Sequence, residues 1–280
     1  MRFILPVLAV LAVPAMAEVP RVMTDIPPVQ ALAAQVMAGL GTPGMLLDKG
    51  GDEHDLQLRP SQMRALSGAG LVVWVGQELT PGLADALAAS GVEALALLDQ
   101  PATRRMDYAS GGVNPHAWLD PVNAKVWTGL IAEKLAALDP EHAAIYRANA
   151  VAAIQGVEAM TAQIAAELAP VAGKPFLGWH DAYAYFAKAF QVSYLGGLSE
   201  GDEAPPGAAR VSEVAALVAR GGVACAFPEA QHDPAMIAAL GPVKLGAALD
   251  PVGSMQDPGP EAYARLMQAL ARGLTDCLAP

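Results

Sequence analysis

The stretch EHAAIYRANAVAAIQGVEAMTAQIAAEL, residues 141–168, contains no proline and a single glycine, Gly156, and is dense in residues that favour helix. Asp139-Pro140 ahead of it predicts the start, with aspartate as N-cap and proline at the first helical position. At about 1.5 Å per residue such a helix runs on the order of 40 Å, enough to cross a whole domain. The rest of the chain has to be built along this rod.

On both sides of the rod, short apolar runs alternate with helical patterns. Before it, strands are expected at residues 21–24, 44–48, 71–75 and 94–98, with helices at 29–38, 60–69 and 79–89. After it, strands are expected at 175–179, 193–195, 223–227 and 243–248, with helices at 182–190, 208–220, 234–240 and 260–276. Apolar runs without polar alternation are those of strands buried on both faces, and their alternation with helices implies parallel sheets. The expected fold is therefore α/β: two lobes, each a parallel sheet flanked by helices, joined by one long rigid backbone helix. The expected division is a leader at 1–17, a first lobe at 18–139, the linking helix at 140–170 and a second lobe at 171–280. Two lobes on a rigid rod close over a ligand less freely than two lobes on flexible strands.

The leader reading rests on Arg2, the apolar run 3–13 and the small-x-small pattern Ala15-Met16-Ala17, with cleavage expected before Glu18. The apolar run is too short to span a bilayer, which takes roughly 20 residues. Residue 18 is not cysteine, so no lipid anchor is expected and the chain is read as exported and soluble. A net charge of −11 argues against nucleic acid or an anionic membrane surface as partner. In an oxidising compartment the two cysteines, Cys225 and Cys277, are expected to form one disulfide. Free thiols acting as metal ligands are the alternative. One cysteine in an apolar strand and the other near the C-terminus suit a staple better.

In open α/β sheets, ligands sit beyond the carboxyl ends of the strands. Three of the five histidines fall there: His54 in the loop DKGGDEHD, His116 in NPHAWLDP, and His180 at the end of the strand before Asp181. Each alone reads as a surface or turn residue. Together, two from the first lobe and one from the second, they describe a site in the cleft. Three neutral imidazoles and one oxygen ligand fill the tetrahedron that zinc prefers. Asp250, closing KLGAALDPVG, is the preferred fourth ligand because no helix follows that it would cap, and Glu53 beside His54 competes for the position. His142 is expected on a solvated helix face without a role, and His232 is kept as a contact for a second or transient metal.

These segments resemble the metal-binding receptors of bacterial ABC importers, specifically the periplasmic zinc-binding type, over nearly all of the exported sequence. EHDLQLRPSQ is similar to the family's first-ligand loop, NPHAWLDPVNAK to its second, GWHDAYAYFAKAF to its third, and LDPVG to the segment carrying an acidic ligand. The resemblance implies a rigid two-lobed periplasmic receptor that holds its metal between the lobes and delivers it to an inner-membrane ABC permease. It also implies zinc, since manganese members place a glutamate where this chain has His180, and nitrogen ligation favours zinc on general grounds. The Cys225–Cys277 pairing is likewise similar to the zinc branch. One departure stands out. The interval DQPATRRMDYASGGVN is short and lacks the histidine-rich loop that many zinc receptors carry there. Either auxiliary capture is dispensed with, or a chaperone hands over the metal.

The expected function is a monomeric periplasmic zinc receptor, not an enzyme, with His54, His116, His180 and Asp250 as ligands and Zn²⁺ loosened on acidification toward about pH 6. A manganese receptor of the same fold is the nearest variant. A secreted zinc hydrolase is the rival from another class, but the sequence carries no HExxH helix.

Overall fold

The short apolar runs form two parallel sheets. The computed structural model describes residues 18–199 and 206–279, so the expected leader at 1–17 lies outside the described residues. The first lobe comprises β1 (Val22–Thr24), α1 (Pro27–Val36), β2 (Gly44–Met45), α2 (Pro60–Ser67), β3 (Leu71–Trp74), α3 (Pro81–Ser90) and β4 (Ala94–Ala96). Its strands lie in the order β2-β1-β3-β4, all parallel, with Met23 between Gly44 and Val72. Leu71, Val72 and Val73 are fully buried, as covered faces require. Just past β1, Asp25 ties the two central strands together. Its Oδ1 accepts the Ile26 N–H at 2.8 Å and its Oδ2 the Val75 N–H at 2.7 Å. Burial pushes this carboxyl up to about 7, against the pull of those N–H groups.

The interval after β4 is more than a plain connection. It holds an antiparallel hairpin, β5 (Met106–Asp107) with β6 (Val113–Asn114), that leads directly into the His116 loop. Asp120 then caps α4 (Pro121–Leu138), its Oδ1 accepting the Val122 N–H at 2.8 Å. The long helix, α5 (Ala143–Leu168), begins later than Asp139-Pro140 predicted. Asp139 instead ends α4, and its buried Oδ2 accepts the Tyr146 hydroxyl at 2.9 Å and meets His142 Nδ1 at 2.8 Å. His142 is accordingly half-buried rather than solvated.

The second lobe comprises β7 (Phe176–His180), α6 (Ala184–Phe190), β8 (Tyr194–Ser199), α7 (Ala208–Ala219), β9 (Cys225–Ala226), α8 (Ala235–Ala238) and α9 (Ala262–Leu278). Its sheet has the order β8-β7-β9 and is parallel. The strand expected at 243–248 survives only as isolated parallel bridges, Ala226 with Leu245 and Glu229 with Leu249. Helix α9 buries Tyr263, Leu266, Met267, Leu270 and Leu274, a spacing that forms one apolar face, and it packs on α5 and on α1 of the first lobe. One core cluster therefore runs through both lobes by way of α1, α4, α5 and α9, while a second lies between the second sheet and α7. A Cys225–Cys277 disulfide joins β9 to α9 across a separation of 52 residues. Closing a loop of that length stabilises the fold by about 4 kcal/mol in the chain-entropy model.

Candidate metal centre

The three strand-end histidines converge. His116 Nε2 lies 3.3 Å from His54 Nε2 and 2.9 Å from His180 Nε2. With a carboxylate oxygen of Glu53 they form a group of four donor atoms, all within 4.8 Å of one another. His116, His180 and Glu53 are buried, and His54 is half-buried at the rim. A tetrahedral zinc with bonds of about 2.0–2.1 Å sets its nitrogens roughly 3.3 Å apart, so this spacing nearly fits as it stands.

Each imidazole is aimed by its own segment. At the end of the hairpin, Asn114 Oδ1 accepts the His116 backbone N–H at 3.0 Å and faces His116 Nδ1 at 2.8 Å. The Asn114 amide is oriented without ambiguity, because its Nδ2 donates to the Asp181 carbonyl at 2.7 Å. A short 3-10 turn, Ala117–Leu119, follows His116 and leads to the Asp120 cap, which fixes the loop to α4. His180 ends β7, and its Nδ1 lies 2.6 Å from Glu229 Oε2. The His54 backbone N–H donates to Asp52 Oδ1 at 2.8 Å, and the loop carrying it is pinned by Arg59, whose Nη2 donates to Asp48 Oδ1 at 2.7 Å.

These contacts decide the tautomers. Asn114 Oδ1 and Glu229 can only accept, so both Nδ1 atoms carry the proton and both Nε2 atoms present lone pairs. Two lone pairs then face each other at 2.9 Å. Protonation does not relieve this readily, since burial first, and then the neighbouring His180 and His54, hold His116 well below the usual imidazole range. What the arrangement can do is share a cation.

Asp250 is not in this group among the described residues. Its Oδ1 accepts N–H groups from Gly253 at 2.8 Å and Ser254 at 3.2 Å, and its Oδ2 accepts that of Met255 at 2.9 Å. As expected, no helix follows Asp250; its carboxylate caps a turn instead. That turn bears on the site indirectly: the Ser254 carbonyl accepts the N–H of Gly50, in the His54 loop, at 2.9 Å. His232 stacks on Trp179 with ring centroids 5.1 Å apart, and its Nε2 is 3.9 Å from Glu229 Oε2. His180, Glu229 and His232 form a second group with ligand spacing. Sequence reasoning missed Glu229, although a signal was there: it lies just beyond β9 as His180 ends β7.

A two-lobed α/β receptor built along a long helix, with a cluster of three histidines and a glutamate that could hold a metal ion, is the class that this fold and site define. More specifically, the chain belongs to the family described as "Zinc-uptake complex component A periplasmic", whose model matches residues 22–277. The high-affinity zinc uptake system protein ZnuA of Paracoccus denitrificans (strain Pd 1222) is 43% identical over 308 residues, covering 95% of this chain and 94% of the relative. Its counterpart in Brucella abortus (strain 2308) is 30% identical over 305 residues, covering 92% and 91%. Among solved structures, the periplasmic zinc binding protein TroA from Treponema pallidum matches with a TM-score of 0.84 at 20% identity, over 93% of this chain and 99% of that one. A crystal structure of ZnuA matches at 0.80 and 22% identity, over 93% and 100%. At such identities the structural likeness speaks for the fold alone. Among the described residues no helix is long and apolar enough to cross a membrane.

Proposed function

We propose that this chain captures Zn²⁺ between its lobes on His54, His116 and His180, with Glu53 as the fourth donor, and delivers it to an inner-membrane ABC permease. The observation that carries this reading is the convergence of three imidazole Nε2 atoms, 2.9 Å and 3.3 Å apart, in a largely buried site beside Glu53. A three-nitrogen, one-oxygen set suits zinc and disfavours manganese. The relatives named for high-affinity zinc uptake support the same cargo. The family description supports a periplasmic setting, in keeping with the expected leader. With Glu53 closing the shell, no coordination position remains for an activated water, so the chain is a receptor rather than a hydrolase. It works as a monomer, each chain holding a complete donor set.

The test is a chelator-competition titration of the demetallated protein with Zn²⁺ and Mn²⁺ at pH 7.5. One tight zinc per chain is expected, with manganese far weaker. Glu53→Gln should weaken zinc at least about 10-fold, a loss of roughly 1.4 kcal/mol or more. Asp250→Asn should weaken it less, since its carboxylate serves a turn. Absence of tight zinc would overturn the reading, and a larger loss at Asp250 than at Glu53 would return the fourth position to Asp250.

A further inference from the structure

We propose that Glu229 is a positioning residue for zinc: a buried carboxylate that braces His180 from behind and sets the strength and selectivity of the site. The proposal rests on the reading of His54, His116 and His180 as ligands. Glu229 is 2% exposed. Its Oε2 lies 2.6 Å from His180 Nδ1, and its Oε1 accepts the Tyr183 hydroxyl at 2.9 Å. The His180 backbone N–H reaches the same Oε1 at a long 3.4 Å.

A carboxylate this deeply buried is costly unless an opposing charge compensates it. No lysine or arginine is among these partners; besides His180, the basic group recorded beside it is His232, with Nε2 3.9 Å from Oε2. A divalent ion on His180 Nε2 would supply that charge through the ring, in a carboxylate–histidine–metal relay. The relay does two things. It keeps the proton on Nδ1 so that Nε2 turns its lone pair toward the site, and it makes the imidazole more electron-rich, which strengthens bonds to borderline metals most.

The brace stands on rigid backbone. Glu229 pairs with Leu249 in a parallel bridge, the Ala230 N–H donates to the Leu249 carbonyl at 2.9 Å, and the Leu249 N–H donates to the Pro228 carbonyl at 2.9 Å. The Phe227 N–H donates to the Leu177 carbonyl of β7 at 2.9 Å. Glu229 and His180 thus emerge side by side from neighbouring strands. His116 has a neutral version of the same device in Asn114. The two braces differ in charge, so the second lobe holds the stronger ligand.

The same residues, with His232, also have spacing for a second metal. The 2.6 Å contact argues against that use, because it is a hydrogen-bond length and leaves no room for an ion between the two atoms. Such a site would also have to strip the proton from Nδ1.

The experiment uses the full mature chain and the variants Glu229→Gln, Glu229→Ala and Tyr183→Phe. Zinc affinity is measured by chelator competition, the Co²⁺-substituted site by its visible absorption, and folding by the thermal midpoint of the metal-free form. Glu229→Gln keeps the shape and an acceptor but removes the charge. We expect it to fold with a metal-free midpoint no lower than wild type, to bind zinc about 10-fold to 100-fold more weakly, and to shift the cobalt bands. Tyr183→Phe, which leaves the charge in place, should lose less. Wild-type zinc affinity in Glu229→Gln would overturn the proposal. So would a second zinc in the wild-type chain that Glu229→Gln removes. Failure of the wild-type chain to bind any zinc would instead remove the ligand assignment itself.

Discussion

His116 governs how the site responds to protons as well as to metal. Burial, then His180 and His54, hold its imidazole well below the ordinary 6.5. The unfolded chain therefore takes up a proton near 6.5 that the native state refuses. The stability His116 contributes is present above about 6.5 and is lost as pH falls below it toward the native value. Asp25 works in the opposite direction. Its native value near 7 lies above the ordinary 3.8, so its contribution is full at low pH and is lost as pH rises through 7. The raw stability curve mixes the two, and the difference between wild type and His116→Gln isolates one of them. In denaturant titrations of the metal-free protein, wild type should lose stability relative to His116→Gln between pH 7.5 and 5.5. A gain would contradict the buried neutral imidazole. At this scale the histidines were legible, since a strand end is recognisable from pattern alone. Asp250 was not legible as a turn cap: a carboxylate that ligates and one that accepts three backbone N–H groups are the same letter in the same kind of loop.

At the scale of elements, the sequence specified most of the helices and longer strands, and packing decided where they stop. Asp139-Pro140 reads as a helix start, but the Asp139 carboxylate is engaged by Tyr146 and His142, and α5 begins at Ala143. The hairpin β5–β6 escaped notice because two-residue strands carry no periodicity, yet it is what delivers Asn114 to His116. Glycines show the same limit. A Cβ on Gly197 in β8 would run into the His180 carbonyl carbon and the Asp181 nitrogen, so the strand ending at His180 would have to move. A Cβ on Gly156 in α5 would meet nothing within 4 Å. Gly197→Ala should therefore destabilise the protein by about 1–3 kcal/mol and weaken zinc as well. Gly156→Ala should stabilise it by about 0.5–1 kcal/mol and leave zinc binding untouched. Thermal melts with and without zinc separate the two; equal effects would mean that β8 does not fix His180.

Over the whole molecule, the question is whether zinc closes the lobes or meets them already closed. The shared core through α1, α4, α5 and α9 resists hinge motion, because bending at α5 would open packed apolar surface on several helices at once. Polar ties cross the cleft directly: Asn114 Nδ2 to the Asp181 carbonyl at 2.7 Å, Trp118 Nε1 to the Pro251 carbonyl at 2.9 Å, and the Tyr263 hydroxyl to the Trp118 carbonyl at 3.0 Å. The segment best placed to yield is the loop at 48–59, which brings Glu53 and His54 to the site. It is held to the second lobe by the Gly50–Ser254 bond and by an exposed Lys49–Asp257 ion pair, and exposed pairs contribute about 0–1 kcal/mol. The expectation is that zinc enters and leaves by movement of this loop, with the lobes as a fixed frame. Zinc should slow backbone hydrogen exchange chiefly in residues 48–59 while exchange in α5 and α9 stays unchanged. Small-angle scattering should give the metal-free and zinc-loaded chains the same radius of gyration within error. A compaction on zinc binding, with protection spread along α5, would mean that the lobes hinge and that the rod does not hold them.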